Sequence, residues 1–251
     1  MSICVLDTET TSIPKYNNWN GCYIIQLAYI IVPKDLLKDE NVTLQKSFIV
    51  KTPVPSSNES EAIHHITWER VQSEGIDCKN VLMEFAKDLK ENSVEIIMSH
   101  GIEFDMGFLM KEFERNHINP NFFRSFKFYN TKNSPLYHSQ KGGLSTIVKT
   151  SFKGNPHDAL YDCYLCLEFF RITKRAVEED CENEPEEIVE KTIEEISKAI
   201  IDKVLKNCIG KNVENVLMIP FDNWHAEPNR WVHFKRPTKR LERTISMRLL
   251  P

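Results

Sequence analysis

At 251 residues, with 41% hydrophobic and 27% charged residues, the chain can bury one substantial core and has an ordinary globular composition. A formal net charge of -4 gives no global basic field, which argues against a protein that coats nucleic acid nonspecifically but leaves room for an enzyme with a local groove. Seven scattered cysteines, an odd number, fit a reducing compartment better than a disulfide framework. Met1 opens almost directly into apolar residues, leaving no room for a signal peptide, and no apolar run approaches a membrane span. A cytoplasmic or nuclear protein is expected, neither secreted nor embedded in a membrane.

Residues 3–6 are a short, wholly apolar run, which reads as a strand buried on both faces. Asp7-Thr8-Glu9-Thr10-Thr11 follows directly. Two carboxylates one residue apart on a strand point to the same face, here at the mouth of a core strand. Unpaired negative charge is costly there, and a hard divalent cation is the usual way to make such a pair tolerable. Taken alone, the pair also fits a turn or a helix cap.

Residues 23–32 form a second apolar strand interrupted by Gln26, and residues 44–51 alternate as a third. Short connections between the three suggest an antiparallel meander. Residues 53–61 read as a Pro/Ser loop. Val81, Leu82, Phe85 and Leu89 give residues 80–89 a helical period, and residues 94–98 read as another core strand. Phe104, Phe108, Leu109 and Phe113 mark a helix over 104–113. A strand near 126–129 and helices over 144–152 and 159–172 complete the series. The resulting order βββαβαβαα implies an α/β fold, a mixed sheet covered by helices.

Composition changes after about residue 176, where a domain boundary is expected. Residues 178–187 are rich in acid, a helix is predicted over 188–208, and the end of the chain is basic. Its arginines are interleaved with Trp224, Trp231 and Phe234, which suits a nucleic-acid backbone with stacking contacts. Docking onto a polymerase or another partner, and an intramolecular clasp against the acid block, are the competing readings of 177–251.

Further acids gain meaning beside the first pair. Asp105 lies in His100-Gly-Ile-Glu-Phe-Asp105, where a strand gives way to a helix. Asp162 lies in His157-Asp-Ala-Leu-Tyr-Asp162, after Asn155-Pro156. There Asn155 is expected to cap and Pro156 to occupy the first turn, with His157 at the helix start. Glu103 and Asp158 adjoin these acids and are expected to face solvent. Cys163-x-x-Cys166 has zinc-like spacing but no second ligand pair, and lies on an apolar stripe with Ala159 and Phe170, so core packing is expected.

Asp7-x-Glu9, His100-x4-Asp105 and His157-x4-Asp162, in this order, resemble the three-motif signature of DEDDh exonucleases, the DnaQ-like branch of the ribonuclease-H-like fold. Ala62-Ile-His-His-Ile-Thr67 resembles the "HGIT" segment of the same family. The similarity covers about residues 1–176 and implies a five-stranded mixed sheet flanked by helices; 177–251, on its own composition, is expected to be a mostly helical C-terminal extension. It further implies two Mg²⁺ ions, with Mn²⁺ able to substitute, held by Asp7, Glu9, Asp105 and Asp162, with Asp7 bridging both. Such ions, about 4 Å apart, clamp the attacking and leaving oxygens. His157 is implied as general base. The implied reaction is 3′–5′ hydrolysis of terminal phosphodiesters at single-stranded 3′ ends, releasing nucleoside monophosphates.

For the substrate, backbone amides near Thr10 and Thr11 are expected to grip the terminal 3′-hydroxyl. Ile66 or Phe104 are expected against the terminal base. His100 is expected in a supporting role. The chain departs from the family pattern in having Thr11-Ser12 where many relatives have glycine, Gly101 for asparagine, His65 for the glycine of "HGIT", and Asn130-Thr131 for an Asp-Thr pair. DNA is preferred on the strength of the "HGIT"-like segment. The alternatives are an RNA-trimming exoribonuclease, and a noncatalytic nucleic-acid-binding or scaffold module on the same fold.

Overall fold

The computed structural model describes residues 2–15, 18–33, 42–134, 137, 143–148 and 150–181, with side chains as far as 173. Five strands form one mixed sheet in the order β3-β2-β1-β4-β5: β1 Ser2–Thr10, β2 Ile24–Pro33, β3 Leu44–Ile49, β4 Val94–Ser99 and β5 Lys127–Asn130. The first three strands are the expected antiparallel meander, β1 pairing with β2 and β2 with β3. β4 joins the other side of β1 in parallel, and β5 joins β4 in parallel. The strand that carries the paired acids is therefore the centre of the sheet.

Six α-helices lie among the described residues: α1 Asn58–His64, α2 Trp68–Glu74, α3 Cys78–Glu91, α4 Ile102–Arg115, α5 Leu144–Ile147 and α6 Ala159–Cys181. α1 replaces the end of the loop expected over 53–61, and α2 lies beyond it, where no element is expected. Their starts are chemically defined, since the Ser57 and Thr67 side chains accept from the backbone N–H of Ser60 and Arg70. α5 is one turn long instead of reaching residue 152. The β-branched run Thr146, Ile147, Val148 is a poor helix former, and Val148 is already extended. α6 runs past residue 172 to Cys181. The predicted helix over 188–208 and the basic tail lie outside the described residues.

Among the described residues, those up to 130 and from 150 to 168 group into one compact unit that contains the whole sheet, and those of 131–148 and 169–181 into another. In the first unit, one sheet face presents Cys4, Leu6, Leu27, Tyr29 and Ile31 to Phe85, Leu89, Phe108, Leu109 and Phe113 of α3 and α4. Each such side chain contributes roughly 1.5–3 kcal/mol on burial. The buried Asp88 in that core is satisfied by the Tyr29 hydroxyl at 2.6 Å and the Lys46 ammonium at 2.6 Å. On the other face, Cys163 of α6 donates to the carbonyl of Ala28 at 3.5 Å, and both Cys163 and Cys166 are buried, in agreement with packing. In the second unit, Tyr137 meets Phe169 edge to face, ring centroids 6.2 Å apart.

Candidate active site

Strand register decides where each acid points. Asp7 is opposite Ala28 and Glu9 opposite Gln26, so both share the sheet face on which Cys163 of α6 packs against Ala28. Thr8 points to the opposite face, toward α4. The β1–β2 register slips between Glu9 and Thr10, which marks the end of regular pairing next to the acids.

The start of α6 supplies the facing groups. It begins at Ala159, as the period over 159–172 predicts, and three residues after Pro156, because Asp158 is the cap: its Oδ1 accepts from the N–H of Leu160 at 3.1 Å and Tyr161 at 3.3 Å. Asn155 instead closes the preceding turn, its carbonyl accepting from Asp158 N–H at 3.1 Å. His157 lies before the helix with φ of 65°, a left-handed conformation that no helix start accommodates. The Asp162 carboxylate holds this geometry by accepting the His157 backbone N–H at 3.0 Å. Gly154 lets the turn approach α6, since a Cβ there would come within 2.7 Å of the Tyr161 ring.

These placements bring one ligand atom each from Glu9, His157 and Asp162 within 4.8 Å of one another. Burial, then the nearby charges of Asp162, Asp105 and Asp158, push the Glu9 carboxyl up from 4.5 to about 8. Burial also raises Asp162, opposed by the backbone bond and charge of His157. Two carboxyls that resist ionising together, with an imidazole beside them, fit a divalent cation: its charge would remove the repulsion that raises them. Asp7, on the same face, adds to the push on the buried Cys163 thiol, whose pKa burial raises first.

Asp105 arrives from α4. It is 3% exposed, with Oδ1 accepting from the Thr8 N–H at 3.0 Å and hydroxyl at 2.7 Å, and Oδ2 accepting from the Ser99 hydroxyl. Protein donors thus fill most of its lone-pair positions. It reaches the cluster electrostatically through Glu9 and is not among the three closely grouped ligand atoms.

The family model described as Exonuclease, of the RNase T group, matches residues 4–170. The chain belongs to this exonuclease family. No curated protein matches it. Solved structures similar to it include the zinc-bound form of an E. coli exonuclease I complex with single-stranded DNA, at 16% identity and a TM-score of 0.58, over 69% of this chain and 40% of that one. An E. coli exonuclease I complex with a dT13 oligonucleotide gives 16% identity and a TM-score of 0.58, over 69% and 41%. The match therefore spans about two fifths of those proteins' length, and at this identity it speaks for the ribonuclease-H-like fold.

Within the exonuclease family pattern, the departures have local causes. Gly101 sits at φ of 116°, which a glycine adopts without strain. Its N–H donates to the Asn130 side-chain oxygen at 3.1 Å, and the Asn130 amide donates to Glu103 at 2.6 Å. An aspartate at 130 would have no proton to give Glu103, so the asparagine there serves the Glu103 contact. Glu103 and Asp158 are accordingly bonded and half-buried, not solvated as expected. The Thr11 and Ser12 hydroxyls both donate to the Gly21 carbonyl, at 2.6 and 3.1 Å, and so tie down the loop after the first motif.

Not every expected substrate contact is placed for its role. The Thr11 N–H is committed to the Tyr23 carbonyl at 2.9 Å and the residue is fully buried, because the chain keeps pairing beyond the register slip. Thr10 is likewise buried. Ile66 is 3% exposed, enclosed by Ile25, Ile49 and Val71, which leaves no face for a base. Phe104 is 41% exposed on the first turn of α4, its ring 4.9 Å from Phe108, and can stack. His100 is half-buried in the turn between β4 and α4. Sequence reasoning overlooked His64, whose buried ring accepts the Ile66 N–H at 2.9 Å and meets the Ser56 hydroxyl at 3.3 Å. Burial lowers its pKa first, then the adjacent His65. The "HGIT"-like segment was the available signal.

Proposed function

We propose that the chain is a divalent-metal-dependent 3′–5′ exonuclease that removes nucleoside monophosphates from single-stranded ends, with DNA preferred over RNA. The observation that carries this reading is the convergence of Glu9, His157 and Asp162 at the mouth of β1, with Asp7 on the same face. Asp7, Glu9 and Asp162 would hold the cations, two Mg²⁺ with Mn²⁺ able to substitute, and Asp105 would act beside them from its Thr8 and Ser99 anchors. Bound there, the ions would neutralise charge developing on the phosphate.

His157 is the general base. Hard cations favour oxygen ligands, which leaves its imidazole for proton transfer. A water oxygen forms the new bond to the terminal phosphorus, its proton passes to His157, and the 3′ oxygen of the preceding nucleotide leaves with the bonding pair. Phe104 offers a stacking face for the terminal base, and every base has a π-face to meet it. A polymerase or processing-complex contact through 177–251 would involve a segment that, beyond residue 181, lies outside the described residues.

The test pairs a 5′-labelled single-stranded DNA with the matching RNA in Mg²⁺, Mn²⁺ or EDTA and identifies products by chromatography. Stepwise shortening of the 5′-labelled strand with release of 5′-mononucleotides, faster on DNA, is expected. Faster RNA turnover would move the reading to an exoribonuclease, and binding without hydrolysis in any metal would leave the noncatalytic module.

A further inference from the structure

Nine residues of β2 are buried, and Gln26 alone among them carries a side-chain amide. At 3% exposure such a group is tolerated only when its hydrogen bonds are made. They are. The Gln26 oxygen accepts the N–H of Ala159 at 3.1 Å, and its amide nitrogen donates to Asp158 Oδ2 at 3.3 Å and Ser47 Oγ at 3.1 Å. The amide thus ties the edge strand β3 to the first residue and the cap of α6. Asp158 uses its other oxygen for the cap itself, so the two interactions hold one carboxylate from both sides.

The location gives this clamp a consequence beyond packing. Gln26 is the register partner of Glu9, and Asp158 directly follows His157. One covalent and hydrogen-bonded path therefore runs from Glu9 across the β1–β2 ladder to Gln26, into Asp158 and Ala159, and on to His157 and Asp162. His157 has left-handed backbone geometry, which persists only where its surroundings over-determine it. The Asp162 carboxylate fixes His157 from the helix side, and the Gln26 clamp fixes it from the sheet side.

We propose that Gln26 is a positioning residue: through Asp158 and Ala159 it sets the place of the His157 imidazole and of Asp162 relative to Glu9. A simple apolar-strand replacement could fail to fold, so the informative test exchanges donor and acceptor. Gln26→Glu keeps an acceptor for Ala159 but sets a carboxylate against Asp158. Adding Asp158→Asn restores a donor–acceptor pair, and asparagine caps helices as well as aspartate does. The Ser47 hydroxyl can then donate instead of accept.

This inference rests on the nuclease reading for its kinetic half, and amide exchange supplies a half that does not. Gln26→Glu is expected to lower kcat between about tenfold and a hundredfold with KM within about threefold, since misplacement of catalytic groups acts on turnover. Exchange of the backbone amides of residues 157–162 should quicken by about tenfold as the clamp opens. Gln26→Glu/Asp158→Asn should return both quantities to within about threefold of the parent protein. A double variant no better than Gln26→Glu, or a Gln26→Glu protein with parental exchange and kcat, overturns the proposal. If the parent protein itself cleaves nothing, the nuclease reading fails, and amide exchange alone decides whether the clamp holds the His157 turn.

Discussion

The raised Glu9 carboxyl makes a quantitative claim about stability in the absence of metal. Its pKa rises from 4.5 to about 8, through burial first and then Asp162, Asp105 and Asp158. A carboxyl whose folded pKa exceeds its unfolded one is held protonated by the fold. It favours the folded state fully below about pH 4.5, and this contribution is lost as pH rises toward 8. The full displacement corresponds to a ceiling of about 5 kcal/mol. Glu9 is half-buried at the sheet mouth, so solvent screening and relaxation reduce the expected effect to about 2 kcal/mol. Glu9→Gln, nearly isosteric and always neutral, should match the parent protein near pH 4 and exceed its stability by about 2 kcal/mol near pH 8.5. Urea unfolding in EDTA across this range measures the difference curve, which cancels groups common to both proteins. Mg²⁺ should stabilise the parent protein increasingly as pH rises, because the ion needs the carboxylate, and should stabilise Glu9→Gln much less. A flat difference curve, or one with the parent protein gaining on the variant at high pH, would refute the reasoning.

His157→Ala should lower kcat by about 10²–10⁴-fold while the dissociation constant for single-stranded DNA, read by fluorescence anisotropy, stays within about threefold. His65 ends α1 with φ of 57°, so His65→Gly should relieve roughly 1–2 kcal/mol of left-handed strain against an entropic cost of about 0.5–1 kcal/mol. A small rise in the urea midpoint is expected, and a fall would show that the histidine side chain itself stabilises that turn. Asn130→Asp removes the donor to Glu103 and sets two carboxylates together, at a cost of about 1–3 kcal/mol at pH 7. Thermal melts should show recovery when Glu103→Gln is added, and no recovery would uncouple the two positions.

The sheet and the acid positions were readable because their signals are long or strongly patterned. An apolar run ending in Asp7-x-Glu9 can hardly be anything but a core strand, and the period of residues 80–89 and 104–113 marks α3 and α4. α1 and α2, with seven residues each, are too short to declare a period, although their Ser57 and Thr67 caps stood in the sequence. α6 starts at Ala159, where the period over 159–172 places it, although Asn155-Pro156 also makes a plausible beginning. What decides between them is the left-handed His157, and that conformation follows from Asp162 accepting its N–H, a bond no spacing rule announces. The motif position of Ile66 suggests contact with a base, yet its burial depends on Ile25, Ile49 and Val71, which come from three other elements. Gln26 stands out as one polar residue in an apolar strand, but two of its three partners, Asp158 and Ala159, lie more than 130 positions away.

The most direct measurement of the central claim is single-turnover cleavage of 5′-labelled single-stranded DNA by the parent protein and by Asp162→Asn, with Mg²⁺ or EDTA, followed on a sequencing gel. A ladder that shortens one nucleotide at a time in Mg²⁺, stops in EDTA and slows by at least about a hundredfold in Asp162→Asn is the predicted result. Cleavage that persists in EDTA, or is untouched by Asp162→Asn, would contradict a metal-dependent nuclease site at the mouth of β1.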